Sequence, residues 1–303
     1  MRFFCVAGLP LVAQHYGSLP MPAGNPLTPD KVALGRKLCF DSRLSADGRV
    51  SCGTCHDPRH AFTDSRDISI GVFGRRGDRR VPSLVGRGYG VSHFWDGRAA
   101  TLEQQVLMPI ENPKEMGATP EQAITRLRSD PDFAGLTVQS LRDALASYVR
   151  TIRSIDAPYD RYMAGAEGGL SDLAQRGLQL FRDKARCYIC HSGDLFTDES
   201  FHNTGVAWRN GRLQDEGRAI VTGKAYDRGA FKTPTLREIA RTAPYMHDGS
   251  IATLEEVIEF YDRGGNPNPS LDENIVPLHL SRDEKRALLE FLRALSGSVR
   301  DGL

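Results

Sequence analysis

Apolar residues recur at helical spacing in several separate stretches, and most of these open on a capping residue. Thr28-Pro29-Asp30 reads as an N-cap and first turn, followed by Val32, Leu34 and Leu38. Thr101 caps a second helix, Leu102-Glu103-Gln104-Gln105-Val106-Leu107, which Pro109 is expected to end. Thr119-Pro120 starts a third. From Val138 to Ile152, the residues Leu141, Leu145, Val149 and Ile152 fall on one face of a fourth. The plan then repeats. Ser171 caps a helix carrying Leu173, Leu178 and Phe181. Thr253 and Glu256 form a capping box for Leu254, Val257, Ile258 and Tyr261, closed by Gly264-Gly265. Ser281 and Glu284 form another for the last helix, with Leu288, Phe291, Leu292 and Leu295 inward. Between the helices, 64–90 and 192–232 hold no sustained period and are long for simple connections, so they read as ordered loops. Strand alternation is nearly absent, and the predicted fold class is all-α. Ala164-Gly165-Ala166-Glu167-Gly168-Gly169 is the best linker candidate.

At 303 residues the chain has room for two modest domains. A net charge of +1 offers no case for nucleic acid or a membrane surface as partner. No later segment approaches 18 apolar residues, so the mature chain is expected to be soluble with no stable membrane span. Met1-Arg2 precedes an apolar run from Phe3 to Ala13 that resembles a short signal peptide, although Pro10 interrupts it and no A-x-A site follows. Residues 1–24 are read as that leader or as an N-terminal extension.

Six cysteines change the picture, because four fall in two copies of one pattern. These are Cys52-Gly53-Thr54-Cys55-His56 and Cys187-Tyr188-Ile189-Cys190-His191. C-x-x-C-H is the attachment pattern of c-type haem. Its two thiols add to the two vinyl groups of one porphyrin, and the adjoining histidine reaches the iron from the proximal side. A redox C-x-x-C pair does not need the histidine. A zinc ribbon usually brings its knuckles within a few tens of residues, whereas these motifs lie in different halves. Two covalent haems are therefore expected, one per half. Such attachment takes place outside the bacterial cytoplasm, which implies export to the periplasm. Of the remaining cysteines, Cys5 has no motif around it and Cys39 reads as a small buried hydrophobe.

With these motifs in place the chain resembles the bacterial dihaem cytochrome c peroxidase and MauG family, from about Asn25 to Gly297. The resemblance also rests on Phe94-Trp95-Asp96-Gly97-Arg98, Phe231-Lys232-Thr233-Pro234-Thr235-Leu236-Arg237 and Ala243-Pro244-Tyr245-Met246-His247-Asp248-Gly249. It implies two cytochrome c-like domains around a shared interface, 25–163 with the peroxide-reacting haem on His56 and 164–303 with the second haem on His191. It also implies a distal pocket of Gln105, Pro109 and Glu115. Heterolytic splitting of peroxide needs a group that takes a proton from one oxygen and gives it to the other, which a carboxylate can do. Glu115 would have that role, Gln105 would orient peroxide, and Pro109 would keep the face clear. Trp95 matches the tryptophan placed between the family's haems.

The resemblance separates subtypes at the second iron. Some members place methionine opposite the proximal histidine, and MauG-like members place tyrosine 17 positions after the proline of the Pro-Tyr segment, here Tyr261 counted from Pro244. A thioether favours ferrous iron, whereas a phenolate oxygen favours higher oxidation states. Met246 and Tyr245 are rival ligands. Two departures stand out. The gating histidine that other members carry 16 residues after the first haem histidine is Val72 here, which cannot ligate, so the peroxide site is expected to be open. The family's interdomain calcium uses an asparagine whose place is taken by Arg80, while Thr242 and Pro244 match its carbonyl positions. A guanidinium only donates, so it is expected to replace the calcium charge or to weaken metal binding.

The reading that follows is a periplasmic, MauG-like dihaem oxidoreductase of the peroxidase class. It reacts with hydrogen peroxide at the first haem and oxidises an external donor, a protein electron donor or a protein substrate, through the second. The rivals are a scavenging cytochrome c peroxidase fed by a small cytochrome or cupredoxin, and a dihaem electron-transfer or sensor module without turnover. A protein substrate would be reached through a surface aromatic, with Tyr188, Tyr226 and Trp208 all open. Nothing in the sequence decides the oligomeric state.

Overall fold

A computed structural model describes residues 17–303, so the Phe3–Ala13 run and Cys5 lie outside the described residues. Two helix crossings organise the chain. Pro29–Cys39 packs on Val138–Thr151, and Asp172–Arg182 packs on Arg282–Arg293. Both crossings close on a glycine. A Cβ on Gly35 would lie 1.9 Å from the Ala144 carbonyl oxygen, and one on Gly177 would lie 2.0 Å from that of Ala287. Backbones this close leave no room for any side chain. One turn further along, Tyr148 and Phe291 are fully buried against the same glycines.

The caps read from the sequence are in place. Thr28 accepts from the Lys31 N–H and Ser171 from that of Ala174, and Thr253/Glu256 and Ser281/Glu284 are complete boxes. Pro109 differs from its expected role. The helix Leu102–Gln105 ends without it, and Pro109 sits in the first turn of a separate segment, Met108–Glu111. That position costs nothing, since a first-turn N–H has no intrahelical partner.

Buried apolar side chains form two clusters. One gathers Leu38, Leu44, Ile110, Leu127, Leu141 and Leu145. The other centres on Phe181, Phe196 and Phe291, edge to face with one another and with Tyr159 at centroid distances from 5.0 to 6.1 Å. The fold is mostly helical, as the pattern predicts, with the addition of three short antiparallel ladders. They pair Phe201–His202 with Phe231–Lys232, Trp208–Arg209 with Arg212–Leu213, and Arg153–Ile155 with Ser298–Arg300. Elements of two or three residues are too short to show alternation. The last ladder carries the chain end back to the first crossing, where Tyr148 Oη and Arg36 Nε donate to Asp301 at 2.6 and 3.1 Å. Among the described residues no helix is long and apolar enough to cross a membrane.

Candidate functional site

The two histidines of the repeated motif are held in the same way. His56 follows the one-turn helix Cys52–Cys55, and its Nδ1 lies 2.9 Å from the Phe62 carbonyl oxygen. His191 follows the turn Cys187–Ile189, and its Nδ1 lies 2.8 Å from the Phe196 carbonyl oxygen. Both phenylalanines have left-handed backbone, φ 58° and 53°. A carbonyl only accepts, so Nδ1 carries the proton and Nε2 keeps its lone pair. Burial pushes both imidazoles down, His56 to about 4, which keeps them in the neutral form that ligates metal. Cys52, Cys55, Cys187 and Cys190 form no disulfides, and burial pushes the Cys55 and Cys187 thiols up to about 12. Cys39 is buried, as read, and stands against Cys52.

Both motifs open on one cavity of about 1180 Å³. A neutral imidazole with two thiols in each half is the donor set that a c-type haem requires, and the shared cavity leaves room for the ligand. Gln105, Pro109, Glu115 and Trp95 line the same cavity. Asn112 Nδ2 donates to Glu115 Oε1 at 2.7 Å, and burial pushes the Glu115 carboxyl above its ordinary range while Arg98 and Asn112 oppose that rise. Arg98 lies over the Phe94 ring at 3.6 Å and donates to Asp96.

Val72 is fully buried within the first apolar cluster and is not part of the cavity wall. Its N–H donates to the Glu115 carbonyl at 2.8 Å. The preceding Gly71 is packed so closely that a Cβ would lie 2.1 Å from the Lys114 carbonyl oxygen. This loop is therefore fastened to the turn that carries Glu115.

Near the second motif Tyr261, from the helix Leu254–Asp262, lines the cavity, as do Tyr245 and Met246. Burial pushes the Tyr261 phenol well up, with Cys187 and Cys190 among its neighbours. The Tyr245 hydroxyl donates to the Ile239 carbonyl at 3.1 Å, and Thr204 is a hydrogen-bonding neighbour of the Tyr261 phenol.

Trp95 draws its neighbours from both halves. Its Nε1 donates to the Arg80 carbonyl at 2.8 Å, and its ring meets His247 edge-on at 6.5 Å. His247 in turn stacks on Phe231 at 3.6 Å. The Arg80 guanidinium reaches Thr242 O at 2.8 Å and Ala243 O at 3.1 Å. Pro244 O, the second carbonyl expected there, is not among its acceptors. Ion pairs from Arg79 to Asp215 and from Arg87 to Glu199 also link the halves, and Asp96 and Lys232 join the same two clusters from either side. Arg98 belongs to a motif visible in the sequence. Asn112, Arg79, Arg87 and Glu199 carried no such signal. Of the three surface aromatics, Tyr188 and Tyr226 are exposed and Trp208 is half-buried.

Comparison with known proteins gives a consistent answer. The family model for di-haem cytochrome c peroxidase matches residues 29–168. The methylamine utilization protein MauG of Methylorubrum extorquens is 40% identical over 92% of this chain and 81% of its own. A cytochrome-c peroxidase of Denitromonas iodatirespirans is 35% identical over 92% of this chain and 84% of its own. The crystal structure of a MauG-like protein associated with microbial copper homeostasis superposes with a TM-score of 0.87 at 34% identity, covering 94% of both chains. With paired C-x-x-C-H histidines on one cavity and these relatives along nearly its whole length, the chain belongs to the dihaem cytochrome c peroxidase and MauG family.

Proposed function

We propose that the chain is a periplasmic, MauG-like dihaem oxidoreductase that consumes hydrogen peroxide and oxidises a protein donor or substrate. Cys52, Cys55 and His56 would hold one haem, in a domain of residues 25–163. Cys187, Cys190 and His191 would hold the other, in a domain of 164–303 whose last strand crosses back. When bound, the haems supply the iron that reacts with peroxide and the capacity to hold oxidising equivalents.

The chain's own residues supply the rest. Glu115 takes the proton from one peroxide oxygen and returns it to the other, its raised carboxyl suiting it to both tasks. Gln105 orients peroxide by a hydrogen bond, and Pro109 offers no side-chain donor that could compete for that face. The Phe62 and Phe196 carbonyls hold Nδ1 of each imidazole and leave Nε2 available to a metal. Trp95 carries electrons between the two sites. Tyr261 would offer its phenol oxygen to the second haem's iron.

A single observation carries this reading: two carbonyl-held imidazoles share one cavity with Trp95 and Glu115. Val72 favours an oxidase open in its fully ferric state over a peroxidase that needs prior reduction, because its side chain is turned into the apolar cluster. The test is one equivalent of hydrogen peroxide added to the fully ferric protein, followed by optical and EPR spectra. Both haem signals should change together. If neither changes until the second haem is reduced, the chain is a reductively gated peroxidase instead. In Trp95→Phe the first signal should change as before and the second should lag. No change in either signal under any redox state points to a non-catalytic module.

A further inference from the structure

Arg80 is 5% exposed, yet among the described residues its guanidinium makes no ion pair. Buried charges ordinarily pair with an opposite charge. Here Nη1 donates to Thr63 Oγ1 at 3.0 Å and Val81 O at 2.9 Å. Nη2 donates to Asp64 O at 2.9 Å, Thr242 O at 2.8 Å and Ala243 O at 3.1 Å. The cation is thus solvated by a cage of neutral oxygens from both halves of the chain. Burial draws the guanidinium down to about 10, with Asp64 and Tyr245 opposing, so it stays charged at neutral pH.

The main chain of the same residue holds the electron relay. The Arg80 N–H donates to the His247 carbonyl at 2.7 Å, and the Arg80 carbonyl accepts from Trp95 Nε1 at 2.8 Å. His247 is itself the ring that Trp95 meets edge-on. Side chain, N–H and C=O of one residue therefore each fasten a different element around Trp95.

We infer that Arg80 is the positioning residue of Trp95 and the resident cation of the junction, so that the junction works without a bound metal ion. A cage of carbonyl and hydroxyl oxygens is the donor set of hard cations such as calcium. The guanidinium supplies the charge from within the chain and shares its four Nη–H donors among the five oxygens. Removing it leaves the oxygens facing one another with nothing between them, which loosens the contact of Thr242 and Ala243 with Thr63 and Asp64. Trp95 then loses the fixed carbonyl that orients its indole.

The experiment compares wild type, R80N and R80K as full-length, haem-loaded proteins. Melting temperature is read with EDTA and with millimolar calcium chloride, calcium content by elemental analysis, and relay rate by the lag between the two haem signals after peroxide. Wild type should hold no stoichiometric calcium, and neither EDTA nor calcium should move its melting temperature. R80N should melt lower, regain much of the loss with calcium, and show a lag at least about tenfold longer. R80K, whose single ammonium cannot reach acceptors on both sides, should fall between the two. One tightly held calcium per wild-type chain overturns the inference, as does a wild-type lag in R80N. An R80N melting temperature indifferent to calcium overturns the cage assignment. Should R80N yield no folded protein, R80K decides alone, and a wild-type lag and melting temperature there reject the positioning role. The lag depends on the proposed function, whereas melting temperature and calcium content do not, so the failure of either idea is recognisable.

Discussion

Asn112 Nδ2 donates to Glu115 Oε1 at 2.7 Å across one turn of chain, in the cavity that His56 also lines. The bond stabilises the ionised carboxylate, while burial favours the protonated one, and burial is the larger influence. Glu115 is consequently a carboxyl raised above its ordinary value yet still anchored.

Replacing Glu115 with Gln keeps the shape and removes the proton carrier. Peroxide consumption should fall by about 10²–10⁴-fold. In wild type the acidic limb of the pH–rate profile should lie above the ordinary glutamate value of about 4.3. Asn112→Ala withdraws a donor to the charged form, so that limb should move further up. A limb that moves down, or an unchanged rate in the Gln variant, removes Glu115 from the mechanism.

The ligand of the second iron is decided by paired substitutions. Tyr261→Phe should change the optical and EPR signature of the His191 haem, and Met246→Leu should leave it alone. The reverse result makes Met246 the ligand and shifts the reading toward a scavenging peroxidase. A variant pair that changes nothing would leave neither residue on the iron and so falsify this assignment.

Each helix crossing has no tolerance for a methyl group. Gly35→Ala and Gly177→Ala each force a Cβ to about 2 Å from a carbonyl oxygen. Overpacking of this kind costs about 1–3 kcal/mol or more. Thermal melts of the two variants should both drop, and a Tm within about 1 °C of wild type for either would mean that the crossing is looser than described.

The junction between the halves also predicts acid sensitivity. Burial tends to raise the Glu199 carboxyl, but hydrogen bonds and charge from Arg87 and Lys232 outweigh it and bring it down to about 2. A depressed carboxylate contributes stability that is present above its unfolded value of about 4.3 and is lost as pH falls toward about 2. Glu199→Gln leaves two buried cations without their partner, which costs about 3 kcal/mol at neutral pH. The variant should lose less than wild type between pH 4.5 and pH 2, measured by denaturant midpoint. Parallel losses would assign the acid sensitivity to other groups.

Much of this was legible in the chain itself. Cys52 to His56 and Cys187 to His191 span five residues each, so the donor set for a haem is complete within one turn of backbone. The caps at Thr28, Ser171, Thr253 and Ser281 likewise depend on partners three residues away. Local chemistry of that reach is written directly in sequence. Pro109 was misplaced because a proline both ends one helix and opens the next, and spacing alone does not say which.

Only the tertiary structure decided what lies across the junction. Arg80 meets Thr242 and Ala243 from 162 and 163 positions away, Tyr148 meets Asp301 from 153, and Val72 is turned inward by its own loop. Such partners are brought together by the packing of two apolar clusters, which many sequences satisfy equally well. The pattern names which side chains must be buried, and the packed fold alone determines which polar groups are then left facing one another.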